Sequence, residues 1–313
     1  MRSLFSWGWP LAAACMALAP GCQARQAPKA PTVPTVPTVP TVHTVYAAGD
    51  IAWCEKKPAL LSDANDTAKL VERGLAASRD ASVLLLGDNV YQRGTAREFH
   101  DCYQPTWGRF KARTWPSPGN HEYATPGAKG YFDYFGNAAG IGYYSVELGA
   151  WHVISLNSNL SGAAQQAQLA WLEKDLAGSR TRCTLAYWHH PLYSSGWHGS
   201  IAVMRPAWAL LYEAGAELVL SGHDHIYERF LPQDANGKLD EERGIRQFVV
   251  GTGGAYYTPF KFPIENSKVR DNSRFGVLKL VLREDSYTWE FLEASYDGFP
   301  NGQQADRGEG KCH

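Results

Sequence analysis

Five times along this chain a β-prone run or a tight turn ends on a side chain that can bind a cation. Asp50 follows "TVYAAG", Asp88 follows "SVLLLG", and Asn120 and His121 sit in "PSPGNHE". His189 follows "CTLAYW", and His223 and His225 follow "AELVLSG". Runs such as "VLLL" and "ELVL", apolar without alternation, suit strands buried on both faces of a parallel sheet. Open sheets of that kind gather their sites at the carboxyl ends of the strands, so the five polar turns are expected to converge on one crevice. Glycines just before Asp50, Asp88, Asn120 and His223 are expected to let the backbone turn sharply there.

The rest of the pattern fits an α/β chain. Helical stretches are expected at about 62–78, at 163–178, where "AAQQAQLAWLEKDLAG" has apolar residues at helical spacing, and at about 204–214. "YYSVEL" and "WHVISLN" read as a strand pair joined at Gly149, and "RQFVVG", "GVLKLVLR" and "YTWEFLEA" add strands after residue 245. The expected architecture is a four-layer αββα sandwich of two mixed β-sheets.

The ends place the chain in a compartment. Residues 1–22, "MRSLFSWGWPLAAACMALAPGC", have a basic start, a short apolar core and small residues before Cys22, which reads as an export signal. Its ending is similar to the lipobox of bacterial lipoproteins, which makes Cys22 the expected lipidation site. Residues 23–42 carry four Pro-Thr-Val triplets, an extended spacer between a tether and a catalytic domain spanning 43–313. The four cysteines beyond the signal, Cys54, Cys102, Cys183 and Cys312, are expected to form two disulfides in an exported protein. Four cysteines allow three pairings; the favoured one is Cys54–Cys102, near the first polar turns, with Cys183–Cys312 pinning the C-terminus. A formal net charge of −1 without a basic run gives no reason to expect a nucleic-acid partner.

Of ten histidines, six fall in three of these stretches: His121, then His189, His190 and His198, then His223 and His225. Carboxylate, amide oxygen and imidazole together suit iron, zinc or manganese. The ordered blocks "GD" (49–50), "GDNVY" (87–91), "GNHE" (119–122), "HHP" (189–191) and "GHDH" (222–225) resemble the signature of calcineurin-like metallophosphoesterases. Ala52 stands where most members of that superfamily place a metal-binding histidine, while Tyr91 stands three residues after Asp88, as in the purple acid phosphatase branch. "HIYER" and the nine-residue step from His189 to His198 resemble the same branch.

That resemblance implies two metal ions. Asp50, Tyr91 and His225 would hold a first, ferric ion, and Asn120, His189 and His223 a second ion, Fe(II), Zn or Mn, with Asp88 bridging. It also implies hydrolysis of a small phosphate monoester by a metal-bound hydroxide, with Asn120, His121 and His198 contacting the substrate and His121 and His198 as catalytic groups. The alternatives are a phosphodiesterase or nucleotide pyrophosphatase on the same centre, and a non-catalytic lipoprotein that binds phosphate or glycans and uses metal structurally. His190 is expected to point away by strand alternation, Asp224 to orient an imidazole, and Glu228 and Arg229 to form ion pairs. "GTGGAYY" (251–257) lacks the lysine of a P-loop and reads as a turn at the cleft mouth.

Overall fold

The computed structural model describes residues 42–295 and 306–313. The expected export signal, most of the expected spacer and Cys22, the expected lipidation site, lie outside the described residues. The strands are, in chain order, β1 (His43–Ala48), β2 (Ala81–Leu86), β3 (Thr114–Ser117), β4 (Tyr144–Leu148), β5 (Trp151–Ser155), β6 (Cys183–Tyr187), β7 (Leu218–Ser221), β8 (Tyr227–Phe230), β9 (Arg246–Val250), β10 (Ser267–Asp271), β11 (Gly276–Leu282), β12 (Ser286–Glu293) and β13 (Arg307–Lys311). They form a six-stranded sheet in the order β13-β12-β11-β1-β2-β3 and a seven-stranded sheet in the order β10-β8-β9-β7-β6-β5-β4. Both are mixed: β1, β2 and β3 run parallel in one, β5, β6, β7 and β9 in the other, and antiparallel strands complete each. The expected sandwich of two mixed sheets is therefore the observed fold.

The sheets face each other across a continuous apolar core that joins Val45, Ala47, Leu84 and Leu86 of the first sheet to Leu185, Leu218, Leu220 and Phe248 of the second. The opposite face of the second sheet carries Ile154, Ala186, Val219 and Val249, packed with Leu172, Trp208 and Leu211 from two helices. Those helices are α2 (Gly162–Gly178) and α3 (Arg205–Glu213); α1 (Asp63–Ala77) buries Ala64, Ala68, Leu70, Val71 and Leu75 on the first sheet's outer side. A strand such as β2, apolar at every position but Ser82, is buried at every position because it has cover on both faces.

Both expected disulfides are formed. Cys54–Cys102, with Cα atoms 5.8 Å apart, ties the loop after β1 to the irregular helical segment after β2. Cys183–Cys312, at 5.5 Å, ties the start of β6 to the end of the chain. Glu217 lies against this second bridge, and its carboxylate accepts the backbone N–H of Thr184 at 2.6 Å and of His313 at 3.2 Å. The two sulfurs are joined to each other, so this cluster is structural. Among the described residues no helix is long and apolar enough to cross a membrane.

Burial pushes the Glu217 carboxyl up to about 7, against the backbone donors that favour its charged form. An acid raised on folding holds its proton more tightly in the native state than in the unfolded chain. Its contribution to stability is therefore full below the ordinary glutamate range and is lost as pH climbs from there to about 7. Replacing Glu217 by Gln is expected to flatten that part of the stability–pH curve, as measured by denaturant unfolding across pH 4 to 8.

Candidate metal centre

The turns that follow β1, β2, β3, β6 and β7 meet at one edge of the sandwich, and the backbone there is unusual. Asp50, Asp88 and His223 themselves adopt positive φ, at 59°, 50° and 71°. Left-handed backbone is costly for residues with a side chain, and it persists where the surroundings over-determine it. The expectation that the preceding glycines make the turn is corrected in part. Gly87 does, at φ 85°, but Gly119 and Gly222 are needed for space. A Cβ at Gly119 would stand 2.1 Å from Asp88 Oδ1, and one at Gly222 2.5 Å from Asp50 Oδ2.

These turns deliver two contiguous groups of donor atoms. In the first, Tyr91 Oη lies 2.9 Å from Asp50 Oδ1, 3.1 Å from His225 Nε2 and 3.3 Å from Asp88 Oδ2. In the second, His189 Nε2 lies 3.2 Å from Asp88 Oδ2, 3.0 Å from Asn120 Oδ1 and 3.2 Å from His223 Nδ1. Asp88 Oδ2 belongs to both. Ligand atoms about 2.1 Å from one cation stand about 3 Å from one another, so this spacing is the one a pair of ions would need. The donor set fits in chemistry as well as in distance.

Two of the imidazoles, His189 and His225, are aimed by their other nitrogen. His189 Nδ1 bonds the Leu86 carbonyl at 2.9 Å and His225 Nδ1 the Tyr256 carbonyl at 2.8 Å, which turns both Nε2 atoms into the centre. His121 Nδ1 bonds the Gln92 carbonyl at 2.6 Å, leaving Nε2 3.8 Å from Asp88 Oδ2. His198 is held by Asp224, which sits 3.2 Å from its Nδ1 and accepts its backbone N–H at 2.8 Å. Asp224 thus orients an imidazole, and the one it orients is at the rim; that ring lies 4.5 Å from the ring of His223. His190 does not point away. β6 ends at Tyr187, so strand alternation no longer applies three residues on, and the His190 ring lies 4.5 Å from His223 with Nδ1 on the Ser158 hydroxyl.

The electrostatics ask for cations. Burial, then the Asp50 and Asp88 carboxylates, push the Tyr91 phenol well above its ordinary range, so a phenolate there requires strong positive charge. Burial would raise Asp88 too, but the adjacent His189, then His121, hold it well below the usual carboxylate range. Burial, then His189, push His223 well below the ordinary histidine value and His190 down to about 3. Burial would lower His189, but the Asp88 carboxylate beside it raises it to about 9, so this ring carries positive charge at the place a cation would take. Two carboxylates and a set of imidazoles turned inward make a receptor for metal ions.

One residue of the "GNHE" block had no role in the sequence analysis. Glu122 is fully buried, and its carboxylate accepts the backbone N–H groups of Asp88, Asn89, Val90 and Gly119 at 2.7 to 3.3 Å. It clamps the turn after β2 to the turn after β3, the two that supply Asp88, Tyr91 and Asn120. Its place in the block was the available signal. Of the residues after the "GHDH" block, Arg229 pairs with Asp306 as expected, whereas Glu228 instead accepts the Ser195 N–H and the Ser267 hydroxyl. The 251–257 segment does line the mouth: Ala255 N–H bonds the Asp50 carbonyl, and the Tyr256 ring lies 4.0 Å from that of His225.

Calcineurin-like phosphoesterase is the family description that matches, over residues 43–227. The chain belongs to that family. Within it, the chain is 32% identical to purple acid phosphatase 15 of Arabidopsis thaliana over 212 residues, 55% of this chain and 40% of that protein. It is 36% identical to an acid phosphatase of Aspergillus ficuum over 161 residues, 44% of this chain and 26% of the relative. The chain thus spans less than half the length of these curated relatives. A purple acid phosphatase from yellow lupin (Lupinus luteus) seeds shares the fold, with a TM-score of 0.67 at 20% identity over 86% of this chain and 53% of the lupin chain.

Glu122→Gln would set an amide N–H₂ against backbone donors that now meet a carboxylate. We expect it to cost about 3 kcal/mol or more of stability in denaturant unfolding.

Proposed function

We propose that this calcineurin-like phosphoesterase is an exported, binuclear metal-dependent hydrolase of phosphate monoesters, with the metal selection of the purple acid phosphatases. The observation that carries the reading is the shared position of Asp88 Oδ2, 3.3 Å from Tyr91 Oη on one side and 3.2 Å from His189 Nε2 on the other. In this reading Asp50, Tyr91, His225 and Asp88 hold ferric iron, and Asp88, Asn120, His189 and His223 hold Fe(II), Zn or Mn. When bound, such ions supply a nucleophile at neutral pH and positive charge for the phosphoryl oxygens.

The chain's own residues do the remaining work. Asn120, held by the Glu122 clamp, presents its amide beside the His189 imidazole, where a phosphate oxygen can be positioned. His121 Nε2 and His198 flank the centre from opposite turns and are the groups that bind the phosphate. The hydrogen bond to Asp224 raises His198 above the ordinary histidine value, so it keeps a proton to share with the ester or leaving oxygen. Residues that reach in without serving as ligands favour turnover over a purely structural metal site. The relatives named above are acid phosphatases by name, which supports a monoester over a diester.

A metal-loaded preparation tests this directly: hydrolysis of phenyl phosphate well above that of diphenyl phosphate is expected, with iron found by elemental analysis. The reverse preference would leave the diesterase alternative, and a metal-loaded protein without turnover would leave the binding one. A phenolate on ferric iron absorbs in the visible, so iron-loaded protein is expected to be coloured and Tyr91→Phe to lose that band while remaining folded. Persistence of the band in the variant would remove Tyr91 from the ligand set.

Export and lipid anchoring rest on residues 1–42, supported by the two disulfides, which suit an oxidising compartment. Replacement of Cys22 by Ser is expected to release the protein from the membrane fraction of the expressing cells. Unchanged retention in fractionation would argue against the anchor.

A further inference from the structure

Next to the candidate centre lies a cavity of about 420 Å³ lined by Trp197, His198, Tyr256, Tyr257, Thr258 and Pro259. Two of its walls are shared with the centre. His198 packs on the ring of His223, and Tyr256 lies on the ring of His225. An ester whose phosphoryl group sits between those imidazoles therefore has this cavity next to it for the group it carries.

The cavity is built of two loops joined to each other. Gly196 and Phe260 form a β-bridge, Lys261 N–H bonds the Ser195 carbonyl at 3.0 Å, and Ile264 N–H bonds the Ser195 hydroxyl at 3.1 Å. Asp224 fixes the first loop from beneath through His198, Gly199 and Ser194. On this frame Trp197 stands 55% exposed, with Lys261 Nζ 5.2 Å from its ring centroid. Tyr256 is braced edge-on by Trp53 at 5.2 Å, and Tyr257 is stacked on Phe275 at 4.2 Å. Three large aromatic rings held partly in water by a braced scaffold carry a hydration cost that a ligand ring would relieve.

Two of the polar groups of the lining are engaged by the chain itself. Thr258 Oγ1 accepts the His225 N–H and His198 is tied to Asp224, while no carboxylate lines the cavity. A leaving group rich in hydroxyls would have only the Tyr256 and Tyr257 hydroxyls, the Trp197 indole N–H and the His198 ring to replace its water, and would leave the three ring faces uncovered. A flat apolar ring meets faces and edges of its own kind. From this we infer that the cavity is the leaving-group subsite of the hydrolase and selects phosphate monoesters whose alcohol bears a planar aromatic ring, either an aryl group or a nucleobase, with Trp197 as its specificity-determining residue. The inference rests on the hydrolase reading given above.

Matched pairs of esters isolate the ring from leaving-group reactivity: 2-phenylethyl phosphate against n-butyl phosphate, and AMP against ribose 5-phosphate. For the metal-loaded wild type, kcat/KM is expected to favour the ring-bearing member about tenfold in at least one pair. Trp197→Ala is expected to collapse that ratio towards one, and Trp197→Phe to restore most of it. A response in the first pair alone assigns the subsite to aryl groups, and in the second alone to nucleobases. Ratios near one in the wild type, or ratios unchanged in Trp197→Ala, would overturn the subsite while hydrolysis itself continued. Should no ester be turned over, the hydrolase reading fails, and calorimetric binding of AMP against ribose 5-phosphate decides the cavity by itself: equal affinities overturn it, and a tenfold gap lost in Trp197→Ala upholds it.

Discussion

Two carboxylates, Asp50 and Asp88, are buried at one edge of the sandwich with no lysine or arginine among the ion pairs they make; those pairs are with imidazoles. Burying a carboxylate without full compensation costs several kcal/mol, and much of the surrounding structure serves to reduce that cost. Backbone N–H groups of His121 and His223 are turned onto the two carboxylates, which requires tight turns after β2, β3 and β7. The left-handed backbone of Asp50, Asp88 and His223, and the missing Cβ at Gly119 and Gly222, are the conditions under which those turns fit. Strain of this kind is stable only on a rigid base, and two sheets sharing one packed core supply it.

The same constraint explains how much of the site was legible in the sequence. A ligand at the end of a fully buried strand is marked twice, once by the apolar run and once by the polar residue that interrupts it. Asp50, Asp88, His189, His223 and His225 all carry that double mark. Glu122 and Tyr256 do not, because their roles are exerted through backbone groups of neighbouring turns; Asp224 was legible from its place between two histidines, although the imidazole it orients lies on another loop. Four N–H donors converging on one carboxylate, as at Glu122, are a property of turns packed together. His190 misled for a related reason, since alternation is a property of a strand and β6 had already ended.

The fold shows a parallel division. Strands expected from the sequence lie mostly inside the sheets, where burial on both faces writes an uninterrupted apolar run. β3, β10 and β13, absent from the expectation, are all edge strands. β3 contains Pro116, and β10 and β13 read "SKVRD" and "RGEGK", compositions that discourage pairing with another chain and hide the strand from a reading based on apolar content. β8 was hidden differently: Glu228 and Arg229 sit in its middle, and each is matched by partners that come from distant segments.

On the proposed hydrolase reading, chemistry and selectivity fall to different parts of the chain. The donor atoms come from turns whose conformation is dictated strand by strand, and shifting one would disturb a buried carboxylate and its neighbours together. The aromatic cavity is made by the loops near 195–199 and 256–261, which are braced by each other and by Asp224, Trp53 and Phe275, and touch the centre through His198 and Tyr256. The Trp197 ring lies against Lys261, so a change there is expected to alter the cavity and leave the carboxylate cluster in place. In the proposed reading, a rigid centre joined at two side chains to this wall would let the chemistry stay constant while the accepted alcohol changed with the wall, and in this chain the wall is aromatic.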